Sequence, residues 1–138
     1  MSKAHPAVTA SENSAKFAMA KDKESWLGLF AEDAFLADPV GKSMLDPDGK
    51  GHQGKAAIER FWDNVIAKAN LTLVASQRIP CDNTCVAVLQ ATNDLGGIKT
   101  VIDMVGLYEV NEEGKLSSLK VYWDFSELMA QLKEHGIG

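Results

Sequence analysis

The stretch FLADPVGKS, Phe35 to Ser43, decides how this chain is read. An apolar run with strand-like alternation ends in Asp38, and Pro39 follows at once. Alternation puts Ala34, Leu36 and Asp38 on one face and Phe35 and Ala37 on the other. Proline biases the preceding residue toward extended backbone, so a short strand is expected from Ala34 to Asp38 and no further. The carboxylate at its end has two readings. Asp before Pro, with a glycine nearby, is common turn chemistry. At the lip of an apolar pocket, the same group is a general base.

Downstream, the loop over 39–54 carries four glycines and two prolines. Its segment LDPDGKG (45–51) has the look of a calcium loop but places Lys50 at a ligand position and has no Glu at the right distance, so it reads as a solvated turn. A helix follows. Ile58, Phe61, Trp62, Val65, Ile66 and Ala69 form an apolar stripe, with Glu59, Arg60, Asp63 and Lys68 on the opposite face. From Leu71 the period changes to two. Four strands are expected near 71–80, 84–93, 98–110 and 115–125, joined by the turns CDN, NDLGG and NEEGK. SELMAQLKEHGIG reads as a short closing helix.

Upstream, residues 1–8 are expected to form a flexible arm and 9–138 a single domain. Thr9 or Ser11 caps a first helix running to about Lys21. Asp22 caps a second, KESWLGLF, with Trp26, Leu27, Leu29 and Phe30 mostly buried. The order is two helices, a strand, a helix and a four-strand meander. The class is α+β: a long antiparallel sheet curved round an amphipathic helix, with a conical cavity between them suited to a small molecule.

The 138 residues suffice for one core, and 46% hydrophobic with 24% charged is ordinary for a soluble domain. Net charge is −5 with no cluster of Lys and Arg, which disfavours nucleic acid or an anionic membrane as partner. No apolar run approaches the ~20 residues of a membrane span. The first residues lack a signal-peptide core, so a cytoplasmic location is expected. Cys81 and Cys85 are two ligands at most, and His5, His52 and His135 lie far apart, so no metal site is expected.

Three features carry a family resemblance: ADPVG closing the first strand, GKAAIERFW opening the third helix, and YW near the end of the last strand. Together with the ααβαββββ order they resemble the ketosteroid isomerase branch of the NTF2-like (SnoaL-like) superfamily, over nearly the whole chain. The superfamily includes isomerases, cyclases, hydrolases, dehydratases and binders, so the fold alone does not assign an activity. In the isomerases, the Asp of the D-P-[VF]-G motif moves a proton between two carbons of a β,γ-unsaturated ketone. A tyrosine on the first helix and a protonated Asp on a late strand stabilise the dienolate oxygen. The resemblance therefore implies that Asp38 is a base acting on a steroid- or terpenoid-like ketone. It implies no cofactor and a homodimer formed through the outer face of the sheet. The alternatives on the same frame are a non-catalytic binder of a small apolar ligand, or a cyclase or dehydratase. A hydrolase would want an Asp–Arg–Asp cluster, and Arg60 on the polar helix face disfavours it.

The family's hydrogen-bond donors are the difficulty. The tyrosine's place on the first helix falls on Ser14, and no tyrosine precedes Tyr108. Asp103, in TVIDMV, looks like the late-strand acid. Counting back from the NEEG turn instead lands on Gly106. In that register Met104, Gly106 and Tyr108 face the cavity, and Asp103 faces outward, paired with Lys or Arg or in a dimer interface. A β-bulge between 103 and 106 would reverse this. Asp103 and Tyr108 both stand as candidate oxyanion donors, with the Trp123 indole N–H a further one. The ligand is expected to meet Leu36, Phe61, Trp62, Val65, Met104, Gly106 and Trp123.

Overall fold

A computed structural model describes residues 5–137. It holds four α-helices and six strands: α1 (Pro6–Ala20), α2 (Lys23–Leu27), β1 (Phe30–Ala37), β2 (His52–Gln53), α3 (Lys55–Phe61), β3 (Leu71–Cys81), β4 (Thr84–Leu95), β5 (Ile98–Val110), β6 (Leu116–Tyr122) and α4 (Phe125–Glu134). One sheet runs in the order β2-β1-β6-β5-β4-β3. The meander β3 to β6 is antiparallel, as its hairpin turns demand. β1 joins the far side of β6 in parallel, pairing Leu36 with Leu119 and Ala37 with Lys120. No hairpin signal in the sequence announces that parallel pairing. It puts the end of the DPVG strand beside the end of the chain's last strand.

α1 starts earlier than its Ser and Thr signals suggest. His5 is the cap: Nδ1 accepts from the Ala7 N–H at 3.1 Å, and Pro6 takes the first helical position, where a missing N–H costs nothing. The other ring nitrogen, Nε2, donates to the Asp82 carbonyl at 2.7 Å and ties the helix start to the β3–β4 turn. Of the expected arm, residues 1–4 lie outside the described residues, and Pro6 to Val8 are helix. Ser11 is thus a helix-interior residue.

α2 is shorter than expected because Gly28 ends it. Phe30 already pairs with Leu116, so β1 begins four residues before Ala34. The helix over the apolar stripe is regular only to Phe61. Trp62–Ile66 form a π-helical turn, with the Ala67 N–H reaching the Trp62 carbonyl at 2.8 Å. One extra residue in a turn rotates everything after it. Trp62 packs on Trp26, ring centroids 5.2 Å apart, and Trp26 packs on Phe30 at 4.7 Å. These three aromatics close the core at one end of the helix layer. Lys21, just after α1, donates its ammonium to the carbonyls of Ile66, the last residue of the π turn, and Ala69 beyond it. Among the described residues no helix is long and apolar enough to cross a membrane.

β4 and β5 pair without interruption from Thr84↔Glu109 to Leu95↔Ile98. There is no bulge between Asp103 and Gly106, so plain alternation governs β5. Thr100, Ile102, Gly106, Tyr108 and Val110 are buried; Val101, Asp103, Val105 and Glu109 are exposed.

Candidate functional site

The inner face of the sheet and the helix layer enclose a cavity of about 150 Å³, apolar over most of its wall. Leu36 comes from β1, Phe61 and Val65 from the third helix and its π turn, Met104 from β5 and Trp123 from just after β6. A second cavity of about 280 Å³ opens beside it toward α4 and shares Val65, Met104 and Trp123. Two expected wall residues are corrected. Trp62, which opens the π turn, packs into the aromatic core and does not line the cavity. Gly106 faces inward but is roofed by the Tyr108 ring, so it offers no surface either. Leu45, in the segment read as a solvated turn, lines both cavities, and the neighbouring Asp46 is buried and accepts the Gly51 N–H at 2.8 Å. The loop is therefore part of the wall.

Asp38 is set into this cavity by the strand that carries it. Ala37 is level with Lys120, so the next residue, Asp38, comes level with Val121. Two residues on, the Val40 N–H donates to the Val121 carbonyl at 2.9 Å and pins the motif to β6. The Trp123 indole Nε1 donates to Asp38 Oδ1 at 2.6 Å. Burial pushes the carboxyl up from 3.8 to about 6, and the Trp123 hydrogen bond works against that rise. The group is ionised near neutral pH yet basic enough to hold a proton, the condition for a general base. Trp123, a candidate oxyanion donor by sequence, has its N–H committed to Asp38.

Tyr108 lines the same cavity and is almost fully buried. A Cβ on Gly106 would stand 2.7 Å from Tyr108 Cε1 and 3.1 Å from its hydroxyl oxygen. The missing side chain is what lets the phenol lie along β5 instead of standing up from it. Gly106 pairs with Val121, and Asp38 is level with Val121 on the next strand. Tyr108's hydroxyl and the Asp38 carboxylate thus lie over one row of the sheet, their backbones two strands, or about 10 Å, apart. Burial pushes the Tyr108 hydroxyl up to about 12; the Ser11 side chain and Arg78 pull the other way. It is a neutral donor at any ordinary pH.

Asp103 is elsewhere. It is exposed on the outer face of β5, and its Oδ1 accepts from Gln90 Nε2 at 3.1 Å. Its partner is an amide, not the Lys or Arg that an outward carboxylate was expected to find. As an oxyanion donor inside the cavity it is ruled out by which face it occupies. Ser14, standing where the family tyrosine falls, does line the cavity, but its hydroxyl accepts from the Trp26 indole at 3.3 Å. Arg60 is exposed, and among the described residues no cluster of His, Cys, Asp or Glu could hold a metal. Cys81 and Cys85 are both free thiols. Sequence reasoning missed Ser11 and Arg78: Arg78 Nε donates to Ser11 Oγ at 3.0 Å across 67 positions of chain, a pairing no local pattern reveals.

The SnoaL-like domain matches this chain over residues 14–119. The chain belongs to the SnoaL-like family. Among solved structures it is similar to RV0760c from Mycobacterium tuberculosis, with 32% identity and a TM-score of 0.87 over 92% of this chain and 97% of that one. RV0760c has also been solved in complex with estradiol-17beta-hemisuccinate. A Delta 5-3-ketosteroid isomerase from Mycobacterium sp. is 30% identical, with a TM-score of 0.84 over 90% of this chain and 97% of that one. A computationally designed 17-OHP binder is 33% identical, at a TM-score of 0.84 over 90% and 97%. No curated protein sequence matches. The fold is the SnoaL-like cone: a curved six-strand sheet that does not close into a barrel, with helices over its inner face.

Proposed function

We propose that this protein moves a proton within an apolar, steroid-like ketone, with Asp38 as the general base and Tyr108 as the donor to the ketone oxygen. Asp38 takes a proton from the carbon beside the carbonyl, and the electron pair shifts onto the oxygen, where Tyr108 donates a hydrogen bond. Asp38 then delivers a proton, the one abstracted or one exchanged in from solvent, to the far carbon of the double bond, leaving a conjugated ketone and a regenerated carboxylate. A carbon acid yields its proton only to a base held close while its oxyanion is stabilised. The observation that carries the reading is Asp38 itself: a carboxylate pushed to about 6 by burial, lining an apolar cavity. The steroid bound by RV0760c supports the ligand class. We propose further that the chain is a homodimer through the outer sheet face, where Val88, Val105 and Tyr122 form one exposed row across β4, β5 and β6.

One observation favours a second reading, a binder without chemistry. With Ser14 in the family tyrosine's place and Asp103 outside, Tyr108 is the one cavity phenol left to stabilise an oxyanion. The test is Asp38→Asn, assayed with a β,γ-unsaturated 3-ketosteroid. Turnover is expected to fall about 10³-fold, while affinity stays within about tenfold, because the base acts on the transition state rather than on binding. Wild-type protein that binds the steroid and converts it no faster than buffer would leave only the binder.

A further inference from the structure

The cavity at Asp38 measures about 150 Å³, below the ~300 Å³ of an ordinary small-molecule site; the second cavity, about 280 Å³, brings the pair above it. Leu45, Val65, Leu71, Ala91, Met104 and Trp123 line both. Met104, unbranched and half-buried, is the part of that shared wall most easily moved. The outer boundary of the second chamber is pinned. β6 stops at Tyr122, level with Val105, so the first half of β5 has no strand on that side. α4 takes its place. The Gln131 amide accepts from the Val101 N–H at 2.8 Å and donates to the Val101 carbonyl at 2.7 Å, and His135 Nε2 lies 3.0 Å from the Lys99 carbonyl.

Thr100 sits between those two pins. It is 4% exposed and lines the second chamber, yet its hydroxyl has no hydrogen-bond partner among the described residues. No side-chain oxygen among them is both sealed away and unpaired, so this hydroxyl opens onto the chamber. A buried polar group is ordinarily paired, and an unpaired one on a cavity wall is a seat for a polar group of the ligand. Asn93 is its cross-strand neighbour. Asn93 Oδ1 accepts the Asn70 N–H at 2.8 Å, which leaves its NH₂ as the free group. Lys68 and Asn64 stand exposed at the rim, and Lys68 has no carboxylate in ion-pair distance among the described residues. No carboxylate lines the chamber. An ammonium and an amide NH₂ only donate, and a hydroxyl can. The group that suits them is an acceptor with negative charge. Thr100 lies six residues along β5 from Gly106, which shares a row with Asp38, so this polar end is about 20 Å along the strand from the base.

We propose that the second chamber is a subsite for the far end of the ligand and that this end carries a carboxylate. Lys68 meets its charge, and Thr100 and Asn93 donate to its oxygens. The substrate class narrows to a polycyclic ketone with an acidic side chain opposite the ketone. The inference rests on the reading of the ligand as an apolar ketone held at Asp38.

Three probes separate the two. Androst-4-en-3-one has no polar group opposite its ketone, 3-oxochol-4-en-24-oic acid carries a carboxylate there, and the methyl ester of that acid keeps the length without the charge. By equilibrium dialysis at low salt, wild type should bind the acid about fivefold more tightly than the ester. The preference should shrink as salt is raised, because the rim is open to solvent. Lys68→Met should bring the ratio close to one and leave affinity for androst-4-en-3-one within about twofold. Thr100→Val keeps the shape and removes the hydroxyl. It should weaken the acid and the ester about threefold or more, with androst-4-en-3-one again within about twofold. Equal binding of acid and ester by wild type overturns the proposal, as does a ratio that Lys68→Met leaves unchanged. A Thr100→Val variant that weakens all three probes alike would assign Thr100 to packing and overturn its part. Where Thr100→Val fails to fold, Lys68→Met at the exposed rim decides. A wild type that binds none of the three sinks the ketone reading and this one with it, whereas binding of androst-4-en-3-one without a preference for the acid overturns the subsite alone.

Discussion

The two faces of β5 carry the same kinds of residue to opposite ends. Outside, Asp103 is exposed beside an apolar row and is satisfied by Gln90. Inside, Tyr108 is buried, lies over Gly106 and shares a cavity with Asp38. By sequence the outer residue is the more tempting, because V-I-D is what an acid buried in an apolar strand looks like. The inner one looks like an ordinary strand aromatic. What separates them is a single step of alternation in an unbroken ladder. Local composition names candidate groups; register decides which of them faces the cavity.

That contrast can be broken most severely at Tyr108. Tyr108→Phe keeps the ring over Gly106 and removes only the hydroxyl. Steady-state turnover of the β,γ-unsaturated ketone is expected to fall about 10²-fold or more, with thermal stability near wild type. A loss below threefold would move the donor role off β5 altogether. Gly106→Ala tests the seat rather than the donor. Its methyl would press on Cε1 of the Tyr108 ring, so the phenol must shift, and turnover should drop about tenfold while the protein still folds. A crystal structure of that variant with the ring unmoved would contradict the packing argument.

Trp123→Phe sharpens the inner face electrostatically. The indole N–H stabilises the ionised Asp38, so removing it should carry the carboxyl above about 6. The reaction needs the ionised base, so kcat/KM rises with pH through the Asp38 pKa and levels above it. The midpoint in the variant should therefore move upward. A midpoint that stays put or falls would mean that the hydrogen bond does not act on Asp38. The smallest effect belongs to the outer face. Asp103→Asn should leave turnover within about twofold, read in the same assay.

Much of the frame is legible in the sequence because it depends on near neighbours. The period-two runs and their turn residues mark the meander, and Asp38 is marked by the proline after it. The misses share a cause: each depends on groups distant in the chain. His5 caps α1, although histidine is not among the usual caps, and its ring is held by Asp82. The π turn, and the packing of Trp62 on Trp26 rather than along the cavity, leave no trace in a stripe that fits a regular helix equally well. Leu45 faces the cavity from a loop whose Pro, Asp and Gly content reads as solvated. Gly106 looked like a pocket position, and it is one by face. Its role depends on where the Tyr108 ring falls, which alternation does not specify.

Proton exchange between Asp38 and a substrate carbon is what the proposed reaction stands or falls on. The most direct measurement is deuterium uptake at the carbon beside the carbonyl of a bound β,γ-unsaturated 3-ketosteroid, followed by NMR in D₂O across pH. Exchange is expected well above the buffer rate, rising with pH to a plateau with a midpoint near 6, and lost in Asp38→Asn. Exchange at the buffer rate with ligand bound, or an elevated rate that survives Asp38→Asn, would contradict it.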